Sequence, residues 1–321
     1  MKRFLVIPLS VLLWPYSSLV AQETGYGIGY QTIMLSNPAF AGIEGEGKLR
    51  IAYFDFYPGR NYNFHSFYAS YDSYIPSVHG GGAFFVSDDY IGGLANDTRG
   101  GCSYAYHFQA GRDLFFDAGL SASFFHRGFN RSEMVFPDQI DPLGGVTQQT
   151  SEQLDLKGKT VFDAGAGFLM IAGRYTAGIA VNHLTTPDLS GTGTSEQRMG
   201  REVVIHLSGE FTINSHQIRL KPVVYGDFKQ GKRVGGIGAA VESATLSFNA
   251  IVLGNRAGDL DLQAGLFVKL SKVTFFYNYT FNISSANNLL PASLVHNAGI
   301  ILSLKNVDKR KIIKTINFPK C

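Results

Sequence analysis

Histidine, asparagine and serine are the residue types in this chain whose spacing could support catalysis or metal binding. The 8 histidines are scattered singly, and no HExxH motif or HxH pair is present to hold a metal ion. Asn182 and His183 are adjacent, and an Asn-His-Ser set with the histidine as general base forms the hydrolytic site of outer-membrane phospholipases. Ser208 is the nearest candidate nucleophile. A strand-end histidine bonded to water or backbone is the simpler interpretation, so we expect no enzyme.

Cysteine and glycine patterns also indicate no metal and no cofactor. Cys102 and Cys321 are too few for a disulfide framework and have no CxxC spacing, so we expect a structural or incidental role for both. The glycine-rich stretch at residues 235–238 lies inside a predicted strand rather than between a strand and a helix. It is therefore not a nucleotide-binding fingerprint.

The N-terminus has the pattern of an export signal. Lys2 and Arg3 precede an apolar stretch at residues 4–20, and Ala21 is followed by polar residues, which predicts a signal peptide over residues 1–21. A short membrane anchor is the alternative, but two prolines interrupt the stretch. Loss of the two basic residues would take the formal charge from +3 to +1, which gives no case for nucleic acid.

After this segment, hydrophobic side chains recur at every second position, which is the period of a β-strand with one apolar face. In residues 259–270, six apolar side chains alternate with Asp259, Asp261, Gln263 and Lys269. Residues 272–282 alternate similarly, with Phe276 as the one misfit. The predicted strands, fourteen in all, cover residues 47–57, 61–74, 78–88, 100–110, 112–126, 160–172, 174–184, 201–213, 216–228, 231–242, 244–254, 258–270, 272–284 and 294–304.

Strand length and connection length favour an all-β transmembrane antiparallel β-barrel of about 14 strands. Many predicted strands have 11 to 13 residues, enough to cross a bilayer at a tilt, and short turns alternate with long loops at 128–158 and 185–200. We expect apolar faces toward lipid around a wet interior, with strand glycines allowing the sheet to bend. Aromatic residues near strand ends suit an interfacial girdle: Tyr53, Phe54, Phe56, Tyr57, Tyr68, Tyr71 and Tyr74. A secreted β-sandwich array is the alternative.

The segment before the first strand carries the motif Asn37-Pro38-Ala39-Phe40-Ala41-Gly42. Proline after asparagine favours a turn, and the glycine permits another sharp change of direction. This segment is expected to cap or enter the barrel. Contact with a partner is the sharper hypothesis, and a purely structural plug is the alternative.

The motif and three later landmarks resemble the PorP/SprF family of outer-membrane proteins of the type IX secretion system. The landmarks are Phe136-Pro137-Asp138-Gln139-Ile140, Asn182-His183-Leu184 with Pro187, and the stretch from Leu290 to His296, and the resemblance covers about residues 24–304. It implies a non-catalytic barrel that supports secretion and surface attachment of adhesins or other cargo, and gliding motility. The implied partners are the type IX translocon, periplasmic lipoproteins linked to peptidoglycan, the C-terminal domain of a secreted adhesin, and outer-membrane lipid.

The resulting division of the chain is a signal peptide at 1–21, a periplasmic or plug segment at 22–46, a barrel at 47–304 and a basic tail at 305–321. Such a tail could bind an acidic partner or lipid headgroups, or be a solvated extension. A channel for small or hydrophobic solutes is the alternative function, and an outer-membrane lipase is a less favoured one. The candidate partner-binding residues are Asn37, Pro38, Phe40, Gly42, Phe136, Asp138, Gln139, Lys309, Arg310 and Lys311.

Overall fold

The described part of the protein is built almost entirely of β-strands. The structure, a computed structural model, describes residues 32–58, 64–130, 135–141, 144–146, 158–190, 198–213, 218–285 and 293–304. The strands are β1 (Lys48–Phe56), β2 (Phe64–Ile75), β3 (Gly80–Ile91), β4 (Ala95–Gln109), β5 (Leu114–Phe129), β6 (Ile140–Asp141), β7 (Gly145–Val146), β8 (Lys159–Ala172), β9 (Tyr175–Asn182), β10 (Glu202–Gly209), β11 (Phe211–Ile213), β12 (Ile218–Lys229), β13 (Lys232–Glu242), β14 (Leu246–Asn255), β15 (Leu260–Leu270), β16 (Val273–Ser284) and β17 (Ser293–Ser303).

These strands close into an antiparallel barrel of 14 strands, as the alternation predicts. Each barrel strand pairs with its neighbours in the chain, β10 pairs with β12, and β1 pairs with β17 to close the sheet. The short strand β11 continues β10 beyond Glu210, and both pair with β12, so the two count as one strand of the barrel. Closure pairs the backbone groups along both edges, which is the condition for a sheet to span a membrane.

The two rims of the barrel differ in the length of their connections. Described connections on one rim contain two to four residues, for example 76–79, 173–174 and 271–272. The other rim carries the connections between β5 and β8 and between β9 and β10, and the first of these contains the small hairpin of β6 and β7. Bacterial outer-membrane barrels have short turns in the periplasm and long loops outside. The short-turn rim corresponds to the periplasmic rim of such barrels.

Most strand boundaries differ from the predicted ones by a few residues, and three of these differences are informative. Strand β4 begins at Ala95, five positions before the predicted start. The apolar alternation is absent there because residues 96–99 are polar on both faces of the strand. Strand β9 ends at Asn182, so His183 lies in the following loop with φ +56°. The predicted strand 201–213 is interrupted at Glu210.

The expectation of an interior that is simply wet is wrong. Phe54, Phe56 and Tyr68 point inward and are buried, and they belong to a cluster of buried apolar side chains. The proposed aromatic girdle is corrected accordingly: neighbouring residues of a strand face opposite sides, so Tyr53 is exposed on the outer face while Phe54 is only 1% exposed. The misfit Phe276 also faces inward, with its ring stacked on Phe267 at 5.8 Å.

In the described residues, helical structure is confined to short pieces. A four-residue helix α1 (Ile33–Ser36) and a 3₁₀ turn at Pro38–Phe40 precede β1. Within the described ranges, no helix has the length and apolar character needed to cross a membrane.

Candidate functional site: the N-terminal plug and its seat

Residues 32–46, which we call the plug, lie inside the barrel. Its apolar side chains join those of the inner wall in one cluster. Ala39 and Ala41 are fully buried and Phe40 is 8% exposed. Burial of a large apolar side chain contributes about 1.5–3 kcal/mol, so this cluster is a major source of the plug's affinity for the lumen. The plug members are Ile33, Met34, Ala39, Phe40, Ala41 and Ile43.

The local shape of the plug follows from the Asn37-Pro38 pair. Asn37 is extended (φ −153°, ψ 114°), the conformation that a following proline enforces. Its side-chain Oδ1 accepts a hydrogen bond from the Ala39 backbone N–H at 2.9 Å, which caps the 3₁₀ turn that Pro38 begins. Gly42 then has φ +69°, a left-handed conformation that favours glycine. The turn predicted at this motif is thus present.

Three glycines of the barrel wall form the surface on which the plug lies, and we call them the seat: Gly81 on β3, Gly119 on β5 and Gly167 on β8. A Cβ on Gly81 would lie 2.6 Å from Gly42 Cα, and one on Gly119 would lie 2.5 Å from Ala39 Cα. A Cβ on Gly167 would lie 3.0 Å from Pro38 Cδ and would overlap the Asn37 side chain. These glycines permit close approach of another backbone, in addition to the bending expected from the sequence.

Hydrogen bonds attach both ends of the motif to the wall. Asn182 Nδ2 donates to the carbonyl oxygens of Leu35 at 3.1 Å and Ser36 at 3.4 Å, and Asn37 Nδ2 donates to the carbonyl of Ile179 at 3.5 Å. At the other end, the Gly42 backbone N–H donates to Asp72 Oδ2 at 3.1 Å. Buried backbone groups of the plug therefore have polar partners on both β2 and β9.

An ion-pair network holds the plug where it joins β1. Glu44 accepts from Lys48 Nζ at 2.8 Å and from Arg50 at 2.7 Å, and Arg50 is also paired with Asp72. Burial opposes ionisation of Glu44, but the charges of Arg50 and Lys48 outweigh it and lower the pKa of its carboxyl below the ordinary 4.5. Glu44 is therefore ionised at neutral pH and remains bound to both cations.

The plug also contacts a wall histidine. The ring of Phe40 lies 4.8 Å from the ring of His206 on β10, in a tilted arrangement. His206 Nε2 has no hydrogen-bond partner among the described protein atoms. This contact places the motif's only aromatic residue against β10, the neighbour of strand β9, which Asn37 contacts.

The Asn-His-Ser arrangement considered for hydrolysis is not assembled. Asn182 pairs in register with Glu202, whereas Ser208 lies six residues further along β10, opposite Thr176. At about 3.3 Å per residue, that separates Ser208 from the position of Asn182 by about 20 Å. His183 is only 1% exposed, and its Nδ1 lies 2.7 Å from Asp163 Oδ2 on β8. This histidine fastens the loop after β9 to the wall.

The same loop turns inward at the long-loop rim. Leu189 and Met199 are buried beside Phe125 on β5. Asp188 holds Lys159 at 3.0 Å and pairs with Arg198 across an isolated β-bridge. The described parts of this loop thus cover part of the barrel mouth.

The remaining predicted site residues lie away from the plug or outside the described residues. Phe136 and Gln139 bond to each other through the Phe136 N–H and Gln139 Oε1 at 2.8 Å, and Asp138 is exposed. Lys309, Arg310 and Lys311 lie outside the described residues. Partner binding at any of these residues stays a prediction.

Sequence reasoning missed most of the residues that hold the plug. Asp72, Glu44 and Arg50 had no motif around them, and Gly119 was not singled out. A glycine in the interior of a long strand was the available signal, because such a position weakens the strand unless something approaches it closely.

Comparison with known families identifies the chain. The model of the family described as "Type IX secretion system membrane protein PorP/SprF" matches residues 21–296. The chain belongs to the PorP/SprF family. The motif, the plug and the barrel except residues 297–303 of β17 all lie within the matched PorP/SprF region. The resemblance noted in the sequence is confirmed.

This PorP/SprF protein has no significant match among curated protein sequences. Among solved structures it is similar to the Ralstonia pickettii toluene transporter TbuX, with 13% identity over 84% of this chain and 91% of that one, and a TM-score of 0.48. It is also similar to the Pseudomonas putida toluene transporter TodX, with 12% identity over 86% of this chain and 94% of that one, and a TM-score of 0.48. The Acinetobacter baumannii outer membrane protein Omp33 shares 10% identity over 82% of this chain and 99% of that one, with a TM-score of 0.44.

Proposed function

We propose that this protein is a non-catalytic outer-membrane component of the type IX secretion system that supports secretion and surface attachment of adhesins or other cargo, and gliding motility. The proposal rests on membership of the PorP/SprF family. Within it, residues 1–21 serve as signal peptide, 22–46 as plug segment, 47–304 as barrel and 305–321 as a basic tail.

The occupied lumen is the observation that favours this function over a diffusion channel. An open pore needs a continuous aqueous path, whereas here Phe40 and its neighbours pack against Phe54, Phe85 and Leu169 of the wall. A barrel filled by its own N-terminal segment is better suited to present its rims to partner proteins than to pass solutes. Channel activity for small or hydrophobic solutes remains the alternative that conductance measurements decide.

The partners in this proposal are the translocon, periplasmic lipoproteins linked to peptidoglycan and the C-terminal domain of a secreted adhesin. Phe136, Asp138 and Gln139 would contact partners at the long-loop rim, and Lys309, Arg310 and Lys311 would do so in the periplasm. The motif residues Asn37, Pro38, Phe40 and Gly42 are enclosed by the wall. They would reach a partner only if the plug leaves the lumen.

Deletion of the gene, followed by comparison of surface proteomes, tests the function. We expect selective loss of one or a few cargo proteins from the cell surface, with their accumulation inside the cell and recovery on complementation. An unchanged surface proteome and unchanged motility would reject the secretion role. Purified protein in planar bilayers should show no large steady conductance, and a large conductance would favour the channel.

A further inference from the structure

A cavity of about 110 Å³ lies beside the plug at the short-turn rim. Its charged lining comes from Glu44 of the plug and from Lys48, Arg50, Lys221, Glu242 and Lys269 of the wall. A single water needs about 10–15 Å³ by this kind of measure, so the space exceeds what one or two waters require. Its lining residues Glu242, Lys269 and Thr274 lie at strand ends that tight turns join.

Most cations around the cavity are already paired with carboxylates. Glu44 binds Lys48 and Arg50, and Arg50 also binds Asp72. These contacts show that the plug places its own carboxylate against two basic side chains of this lining. The cavity is thus chemically suited to carboxylates and already binds one from within the chain.

A second set of pairs lies across the cavity, on β12 and β13. Lys221 Nζ lies 2.9 Å from Glu242 and 3.7 Å from Glu210. Arg219 lies 3.0 Å from Glu242 and 3.2 Å from Glu210. Arg219 and Lys221 are thus each paired with both Glu210 and Glu242.

Lys269 is the cation left over. Within the described ranges its ammonium makes no ion pair or hydrogen bond, whereas the other cations of the lining, Lys48, Arg50 and Lys221, are paired. Lys269 lies opposite Thr274 in the register of β15 and β16, and Thr274 also lines the cavity. A hydroxyl beside an ammonium provides two kinds of donor for one oxygen anion.

We propose that this cavity is a binding site for a carboxylate ligand, held by Lys269 with help from Thr274. The unpaired ammonium of Lys269 matches the single negative charge of a carboxylate at neutral pH. A phosphate monoester carries about −1.5 to −2, more than one ammonium balances. The ligand enters from the periplasmic rim as a small carboxylate solute or as an acidic side chain of a peptide.

Binding of trifluoroacetate to the purified full-length barrel in detergent tests the site directly, with the ¹⁹F line width as the readout. We expect wild-type protein to broaden the line beyond what empty micelles do. Lys269→Gln should weaken binding roughly threefold to fivefold, as expected for a partly exposed ion pair, and Lys269→Glu should abolish the excess broadening. Lys232→Gln is the matched control, because Lys232 is an exposed lysine near a tight turn on the opposite rim.

Competitors identify the source of the carboxylate. Suppression by an acidic peptide, but not by the same peptide with glutamine, assigns the site to a protein carboxylate. Suppression by acetate alone assigns it to a small solute, and either result supports a carboxylate site. Equal broadening in wild type and both Lys269 variants overturns the proposal, as does suppression by inorganic phosphate at a lower concentration than acetate. The measurement is independent of secretion, so its result does not depend on the proposed function.

Discussion

Gly119 of the barrel wall and Ala39 of the plug lie so close that a Cβ on Gly119 would be 2.5 Å from Ala39 Cα. The two residues are far apart in the chain, and their contact exists only because the sheet closes around the plug. Gly81 and Gly167 make equivalent approaches to Gly42 and Pro38. The plug is therefore held by the shape of the wall as well as by hydrophobic and polar contacts.

Substitution of a seat glycine should displace the plug. Gly119→Val places side-chain atoms where the Ala39 backbone lies, at a cost of about 1–3 kcal/mol or more. We expect single-channel conductance in planar bilayers to rise above that of the wild type. Gly100→Val is the control, because a Cβ on Gly100 meets nothing within 4 Å. Unchanged conductance in an assembled Gly119→Val barrel would show that the seat does not hold the plug.

Loss of the Asn37 side chain should loosen the plug without removing it. Asn37→Ala deletes the cap on the Ala39 N–H and the bond to the Ile179 carbonyl. A lost cap costs about 1 kcal/mol, which corresponds to roughly fivefold faster hydrogen exchange of the plug amides. Asn37→Ser keeps a capping oxygen and should lie between the two. Equal exchange in all three proteins would contradict a capping role.

The plug should lose an acid-sensitive attachment at low pH. The pKa of Glu44 is lowered below 4.5 by Arg50 and Lys48, so its contribution is complete above pH 4.5 and declines as the pH falls through the still lower folded-state pKa. Protection of plug amides should be steady at neutral pH and drop below about pH 4.5. Glu44→Gln should reduce protection at neutral pH and flatten the acid transition. The same transition in this variant would assign it to another carboxyl, with Asp72 the nearest in the network.

His183 should act on loop stability. His183→Ala leaves the buried Asp163 carboxylate without one of its partners, which costs about 1–3 kcal/mol. We expect faster proteolysis in the connection between β9 and β10, with strand pairing retained. His126→Ala is the control, since His126 bonds Thr160 at an exposed site. A proteolysis rate equal to that of wild type would argue against the fastening role.

Deletion of residues 306–321 should leave assembly of the barrel intact, since β17 ends at Ser303. If the basic tail binds a periplasmic partner, the deletion strain should place less cargo on its surface at equal barrel abundance. Replacement of Lys309, Arg310 and Lys311 by glutamine should reproduce the defect. Unchanged secretion in both strains would reject the tail as a functional element.

The chemistry of the lumen hid the start of one strand from sequence reasoning. The start of β4 is polar on both faces, yet its inward residues are satisfied: Arg127 donates to both oxygens of Asp97 at 2.7 and 2.6 Å, and Arg99 pairs with Asp163 at 3.4 Å. Apolar alternation is absent there because a barrel interior accepts paired charges. Phe276 disturbed the pattern for the opposite reason, since part of the lumen is apolar.

By itself, the sequence determined the number of strands, their outward faces, the turn at Asn37-Pro38 and the family. These features are local: side chains alternate with a period of two, proline restricts its neighbour, and a motif is read from adjacent residues. Only the tertiary structure decided what occupies the lumen. The plug contacts Asp72, Gly119, Gly167 and Asn182, which closure of the barrel brings together from distant strands. No local pattern carries that information, because each contact depends on the path of the whole sheet.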